Sequence, residues 1–435
     1  METVPERLEP RREPLELRSV DAPVTEPATL DEPIVRRAGR RPSRPHRRRR
    51  WSGRLNITSR DVLYVLAIYF ATRVLLLVAA YVEASIGHHD FLRELSNWDG
   101  LWYREVANHG YLSHPSYAQT TLGFFPLFPI CIWLLEPIFQ IFGHDQIWAA
   151  SVSGAVISGI GGAVACVYVF RLAEAWWDRE VALRAAVLFI LFPGSVVFSM
   201  VYSEGLMLPL AAACLYALQR KRWLRAGILA GVATAVQPVA LALIPVCAIS
   251  ALVELHRQGY RFRVLRRVAV APLLSGVGIG AFAIFLWLWT GTPLATYNAQ
   301  HHGWSEKTDP LALVHLTTTL AKQISFTHFN EPTINLNLVV GLIGAVLLGV
   351  MLIMVGLQWR RISIEAMIWT AGISFLALTS EYVPPNPRML ITAFPALMVA
   401  ARYARGRWWT VLVWSNAILL VGLSMLTFVG LTLRP

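Results

Sequence analysis

The run DVLYVLAIYFATRVLLLVAAYV, Asp61 to Val82, decides the fold class. A helix crosses the hydrocarbon of a bilayer in about 20 predominantly apolar residues, and this run has that length. Similar runs recur as far as Val429. In a soluble globule they would leave no solvent-facing side, so the sequence predicts an all-α polytopic membrane protein. Composition agrees. Of 435 residues, 55% are hydrophobic and 15% charged, whereas soluble domains carry roughly a quarter charged residues.

Upstream of this run, residues 1–55 form a separate region rich in Pro, Glu and Arg, which includes RRAGRRPSRPHRRRR (Arg36 to Arg50). Too little apolar surface is available there to offset chain entropy, so a disordered tail is expected. No apolar core follows its first residues, so it does not read as a signal peptide. As a basic cytoplasmic tail it would orient the first span and could touch anionic headgroups. The net charge of +12 would suit nucleic acid. Its placement, in the tail and in short segments between apolar runs, instead follows the positive-inside rule. No nucleic-acid partner is expected. The cysteines, Cys131, Cys166, Cys214 and Cys247, all fall inside apolar segments. They read as buried packing residues, with neither a disulfide framework nor metal-ligand spacing.

Downstream, residues 56–435 read as one transmembrane domain with its first span running outward. Residues 83–145 become the first extracytoplasmic loop, with juxtamembrane elements. The basic segments Arg171–Arg184, Gln219–Arg225, His256–Arg267, Trp359–Arg361 and Arg402–Arg407 should face the cytoplasm. Apolar pairs between them turn outside at Tyr202-Ser203-Glu204, at Gln237-Pro238, in the long loop 291–335, and at Glu381 to Arg388. Parity holds only if Phe124 to Phe142 does not cross. Pro126, Pro129 and Pro137 disfavour a regular helix there, so this segment is expected to be re-entrant or juxtamembrane. About 11 spans result, and no internal repeat is visible.

The informative polar residues then share the outer face. Asn97-Trp98-Asp99-Gly100 leads into Trp102-Tyr103-Arg104-Glu105, with His109-Gly110-Tyr111 and Phe124-Phe125-Pro126-Leu127-Phe128-Pro129 beyond. Helical spacing over 102–109 would align Trp102, Val106 and His109 on an interfacial helix, where aromatics commonly anchor. Asp99, partly desolvated between tryptophans, suits a general base or a helix N-cap. Glu204, at a turn between apolar segments, is costly there and defaults to function, with capping as the other reading. In the long loop, His301 and His302 lack an acidic partner at helical spacing and suit surface polar contacts better than a metal site. Arg388 is a lone cation on the outer side, which calls for pairing with Glu381 or with a lipid phosphate.

Taken in order, these motifs resemble the PIG-V type of mannosyltransferase. The resemblance rests on Asn97 to Tyr103, His109 to Tyr111, Phe124 to Pro129, Tyr202-Ser203-Glu204 after Phe192-Pro193-Gly194, and Gly291-Thr292-Pro293-Leu294 with Ala299-Gln300 and Trp304. It covers roughly residues 60–400. Eukaryotic members add the second mannose of the GPI anchor, and bacterial relatives exist. The resemblance implies the C-type glycosyltransferase fold, with the active site on the first outer loop and a polyprenyl-phosphate-mannose type of donor. It implies that Asp99 is the catalytic base. Trp98, Tyr103, Arg104, His109, Tyr202, Glu204, Gln300, His301, Trp304 and Arg388 would contact substrates. Two departures stand out. Thr292 replaces an acid common in the family, and Glu381 to Arg388 is a loose version of its Arg-Tyr segment.

The expected reaction is inverting transfer of a sugar, mannose by resemblance, to a hydroxyl of a glycolipid or glycan acceptor. The leaving lipid phosphate needs only electrostatic help from Arg or His, and no phosphate-cradling glycine loop is present. No cofactor is required, no residue is assigned to a metal, and a divalent metal is left open. Membrane lipids are expected partners, and the plasma membrane of a bacterium is the expected location. The competing class is a transporter or lipid flippase. Such proteins usually bind near the bilayer midplane between repeats, whereas the polar residues here gather at outer helix ends.

Overall fold

The computed structural model describes residues 59–88, 90–143, 145–324, 335–381, 383–428 and 433, all within one compact unit, residues 53–435. The expected tail, residues 1–55, lies outside the described residues, as do His144 and part of the long outer loop. Secondary structure among the described residues is helical, apart from one isolated bridge between Thr308 and Ser380.

Two helices set the length of the bundle, α1 (Ser59–Ile86) and α5 (Gln146–Trp176). At 1.5 Å per residue they run about 42 and 46 Å, longer than the roughly 30 Å of bilayer hydrocarbon. Between them lie α2 (Phe91–Leu95), α3 (Asp99–His109) and α4 (Leu127–Gln140). There follow α6 (Arg179–Leu191), α7 (Glu204–Gln219), α8 (Trp223–Ala233) and α9 (Leu243–Arg257). The next group is α10 (Phe262–Val268), α11 (Val270–Ser275), α12 (Val277–Thr290) and α13 (Ala295–Asn298). The chain continues through α14 (Ala312–Ile324), α15 (Leu336–Leu357) and α16 (Ile364–Thr379), and then α17 (Pro387–Thr392), α18 (Phe394–Tyr403) and α19 (Arg407–Phe428). Local chemistry starts and stops them. Asp145, Asp178 and Asn386 accept from Trp148, Val181 and Met389 amides at 2.7, 2.9 and 3.0 Å, as N-caps should. Gly291 ends α12 in the left-handed conformation, φ 78°, which glycine adopts without a Cβ clash.

Five helices are individually long and apolar enough to cross a membrane, namely α1, α15, α19, α5, and α9 with its leading turn from Pro238. Two bent pairs raise this to seven: α6 with the turn Pro193–Ser199, bent by 70°, and Phe262–Ser275 with α12, bent by 42°. Four more apolar helices, α4, α7, α8 and α16, are shorter. Large apolar side chains such as Leu273, Leu288 and Trp414 face outward, a belt that lipid covers and water would not. The protein is a multi-pass membrane protein.

Contacts collect the basic turns at one end of the bundle. Arg179 pairs with Asp61 at the start of α1, and Arg184 donates to the Ala404 carbonyl at 2.7 Å. Gln219 reaches Ser363 (2.8 Å), Lys221 reaches Glu254 (3.1 Å), and Gln358 reaches Tyr403 (3.0 Å). Helix α5 therefore runs antiparallel to α1, and its first turn lies towards the opposite end.

Two expectations change. Prolines do not prevent a regular helix in 124–142. Pro126 is the N-cap of α4 and Pro129 falls in its first turn, where the missing N–H has no intrahelical partner to lose. Only Pro137 is interior. The helix still measures about 21 Å, short of a bilayer core. The interfacial helix also begins earlier than the 102–109 spacing indicates. With Asp99 as its first residue, the buried face carries Gly100, Tyr103, Val106 and Ala107, while His109 is exposed. Among the cysteines, Cys166, Cys214 and Cys247 are buried, but Cys131 is only half-buried.

Candidate active site

Three distant segments meet at one guanidinium. Arg388 on α17 donates from Nη1 to Asp99 Oδ2 and from Nε to Glu204 Oε1, each at 2.6 Å. Its guanidinium carbon lies 4.8 Å from the centre of the Tyr202 ring, within cation–π range. Asp99 and Glu204 occupy the same local position, the first residue of α3 and of α7, and neither is the N-cap. Carboxylates are favoured there by the positive end of the helix dipole. The capping readings for both acids therefore give way to pairing with Arg388. Glu381, one of the two partners expected for Arg388, is exposed, and its amide instead donates to the Lys307 carbonyl.

The acids differ in access. The Asp99 side chain is 31% exposed and that of Glu204 3%, with Arg388 at 22%. An incoming hydroxyl can reach Asp99 but not Glu204. Burial alone would lower the Arg388 pKa. The Glu204 and Asp99 carboxylates outweigh it and hold the group well above its ordinary value. Burial, reinforced by Asp99 and Glu204, pushes the Tyr103 phenol far up, so Tyr103 stays protonated as a donor. It donates to Ser203 Oγ at 2.7 Å, and Ser203 donates on to Gln237 Oε1 at 2.5 Å.

Each arm of the cluster is braced. Asp99 follows Trp98, whose φ of 60° is a rare conformation for a bulky residue and stores strain. The loop before it is pinned where Val201 N–H donates to the Leu95 carbonyl at 2.9 Å. A Cβ at Gly100 would stand 3.2 Å from the Val201 carbonyl oxygen, so a side chain there would push α3 off that strut. On the Glu204 arm, Pro193 breaks the helix after α6 and frees carbonyls inside the bundle. Arg73 of α1 satisfies them. It donates to the Ser195 carbonyl, to the Ile190 carbonyl at 3.4 Å, and to the hydroxyls of Ser195 (3.0 Å) and Ser199 (3.3 Å). Ser158 Oγ then holds the Tyr202 carbonyl at 2.8 Å. On the third arm, a Cβ at Gly194 would collide with the Pro387 carbonyl. The residue next to Arg388 is thus seated directly on the broken helix.

The remaining residues singled out from the sequence lie apart from this cluster. Arg104 donates to Ser151 Oγ at 3.0 Å, and His109 pairs with Glu105 at 3.2 Å on the surface. Gln300 donates to the Gly123 carbonyl at 2.7 Å, and Trp304 packs edge-on to Trp102 and Phe124. His301 stacks on Tyr297. Together Gln300 and Trp304 fasten the long loop to the first loop. Phe124 connects them to Tyr103, its ring centre 5.0 Å away. Among the described residues no three His, Cys, Asp or Glu side chains converge as a metal site. Arg73, Ser158, Ser203 and Gln237 were missed as site-building residues. For Arg73 a signal existed, an arginine in mid-span, which defaults to a function or a partner.

An apolar groove of about 850 Å³ begins one turn along α3 from Tyr103. Val106, Tyr111, Leu127, Val232, Ala235 and Phe282 are among the residues that line it.

A bundle of apolar helices with a carboxylate–arginine–carboxylate centre at helix ends defines a multi-pass membrane protein with a polar site beside an apolar groove. A sequence profile of the mannosyltransferase (PIG-V) family matches residues 66–294, and the chain belongs to that family. No curated protein matches it by sequence. Among solved structures, ArnT from Cupriavidus metallidurans bound to undecaprenyl phosphate is 14% identical, with TM-score 0.48 over 80% of this chain and 62% of that one. The apo oligosaccharyltransferase of Archaeoglobus fulgidus is 16% identical, with TM-score 0.45 over 81% and 56%. AglB from the same organism, in complex with an inhibitory peptide and a dolichol-phosphate, is 15% identical, with TM-score 0.41 over 85% and 56%. The chain spans less than two thirds of the length of each.

Proposed function

We propose that this protein is a membrane mannosyltransferase of the C-type fold. It transfers mannose from a polyprenyl-phosphate donor to a hydroxyl of a glycolipid or glycan acceptor at the outer face of a bacterial plasma membrane. The observation that carries the reading is the unequal pair of acids on Arg388. One carboxylate, Asp99, is open to a substrate, and one, Glu204, is sealed behind the guanidinium. The acceptor oxygen attacks the anomeric carbon as the carbon–oxygen bond to the lipid phosphate breaks, with inversion. Asp99 takes the hydroxyl proton, and Arg388 steadies charge on the departing phosphate. Transfer from a charged leaving group needs such prepositioned electrostatics more than covalent help. The groove beside Tyr103 supplies an apolar surface for a prenyl chain, so that a lipid-borne phosphate could reach Arg388 without leaving the membrane. Collection of the basic turns at the opposite end supports a cytoplasmic N-terminus. Family membership sets the transporter reading aside.

The test is transfer by the full-length protein reconstituted in liposomes. Radiolabelled polyprenyl-phosphate-mannose should yield a labelled glycolipid with an envelope lipid extract as acceptor, and GDP-mannose should not. Turnover with GDP-mannose alone, or label that moves across the bilayer with no new glycosidic bond, would overturn the reading.

A further inference from the structure

At the end of the bundle that carries the basic turns, α8, α9 and α10 enclose a second cavity of about 390 Å³. Three cations, Lys221, Arg263 and Arg267, line it with one carboxylate, Glu254, and Val264 and Val268 give it an apolar wall. Lys221 is neutralised, with Glu254 at 3.1 Å and the Trp223 ring 5.4 Å away. Arg263 and Arg267 have no ion-pair partner among the described residues. They stand four residues apart on one face of α10, where like charges repel. An anion between them would relieve that repulsion.

The other face of α10 fixes the depth. Phe262 and Leu265 are exposed, as is Tyr260 just before the helix. Of these, Tyr260 is of the type enriched at the headgroup boundary. The two arginines therefore meet the cavity at headgroup level, with an apolar wall against which acyl chains can begin.

We propose that this cavity is a binding site for an anionic phospholipid, whose headgroup phosphate is held by Arg263 and Arg267. Basic pockets between helices on the cytoplasmic side bind such headgroups, and paired guanidinium forks suit phosphate oxygens. The site has a mechanical consequence. Helix α10 leads through α11 into α12 across the 42° bend, and Leu274 just before that bend, with Val277 and Phe285 beyond it, lines the apolar groove. A lipid clamped at the foot of this bent element steadies one wall of the groove. The inference requires only that the protein lies in a membrane and stands apart from the transferase reading.

The experiment uses full-length protein in neutral detergent, titrated with phosphatidylglycerol or phosphatidylcholine in mixed micelles and followed by thermal melting and native mass spectrometry. Phosphatidylglycerol should stay bound and raise the melting temperature, and phosphatidylcholine should do neither. R263Q/R267Q should weaken phosphatidylglycerol binding about thirtyfold, at roughly a factor of five per basic residue. R225Q, on α8 outside the cavity, should leave it unchanged. If the double variant does not fold, R267Q alone should show the roughly fivefold loss. Equal protection by both lipids, protection by inorganic phosphate at equal concentration, or wild-type binding by the arginine variants would overturn the site.

Discussion

Replacing Asp99 with Asn separates its chemistry from its structural contact. Asn keeps the size of the side chain, and its carbonyl oxygen can still accept from Arg388 Nη1, now 2.6 Å from Oδ2. What disappears is the negative charge. The pair is neither sealed nor fully exposed, with side chains 22% and 31% accessible, and partly solvated pairs contribute about 1 kcal/mol or less. Asp99 makes no capping bond, since α3 begins with it and Trp98 is the N-cap, so no capping energy is lost. Glu204 continues to neutralise Arg388. Melting of Asp99→Asn in detergent should therefore shift by about 1 kcal/mol or less. Turnover should fall about 10²–10⁴-fold, the usual contribution of a positioned base, equivalent to roughly 2.7–5.5 kcal/mol of barrier. The assay is single-turnover transfer from polyprenyl-phosphate-mannose at saturating acceptor, beside a melting curve of the same preparation. Turnover within threefold of wild type, at unchanged melting, would refute the base assignment.

Further outcomes follow from the same geometry. Arg388→Lys offers a point charge in place of a fork that serves two carboxylates; steady-state kinetics should show KM for the lipid-phosphate donor rising well beyond that for the acceptor. Arg388→Gln leaves Glu204 buried and unpaired, a loss of about 3–5 kcal/mol; adding Glu204→Gln should recover much of the melting temperature even though activity stays lost. Gly194→Ala drives a Cβ into the Pro387 carbonyl; activity should fall although Arg388 is intact, and wild-type transfer would dissociate that contact from the site. In a background without native cysteines, Phe142→Cys should react with an impermeant thiol reagent from outside and Arg222→Cys only from inside; the reverse pattern would invert the bundle.

Much of the fold was legible because a bilayer imposes strict demands on a chain. Apolar runs must be long enough, and basic turns must share a side, so Asp61–Val82 and the later basic segments could be placed by length and charge alone. The site was legible in part. Asp99, Glu204 and Arg388 were each unusual where they stood, but no periodicity joins residues 184 and 289 positions apart. Proximity along the chain therefore points Arg388 to Glu381 or to a lipid phosphate, whereas its carboxylate partners lie on α3 and α7. The error over Pro126 and Pro129 has a different cause. A proline disrupts a helix interior, yet at the cap or first turn it costs nothing, and the boundary that decides between these cases is fixed by packing. The same shift of boundary turned Tyr103 inward and His109 outward.

The order of the three charges along the chain has a consequence for how the protein is made. Both acids leave the ribosome well before the arginine that joins them, since Arg388 follows Glu204 by 184 residues. At about 5–20 residues per second, translation leaves the two carboxylates without their cation for roughly 10–40 s. During that interval the nascent bundle carries an uncompensated negative centre, which favours a loose, hydrated arrangement of α3 and α7. Arrival of α17 closes it. Assembly of the candidate site is thus a late event in the synthesis of the chain.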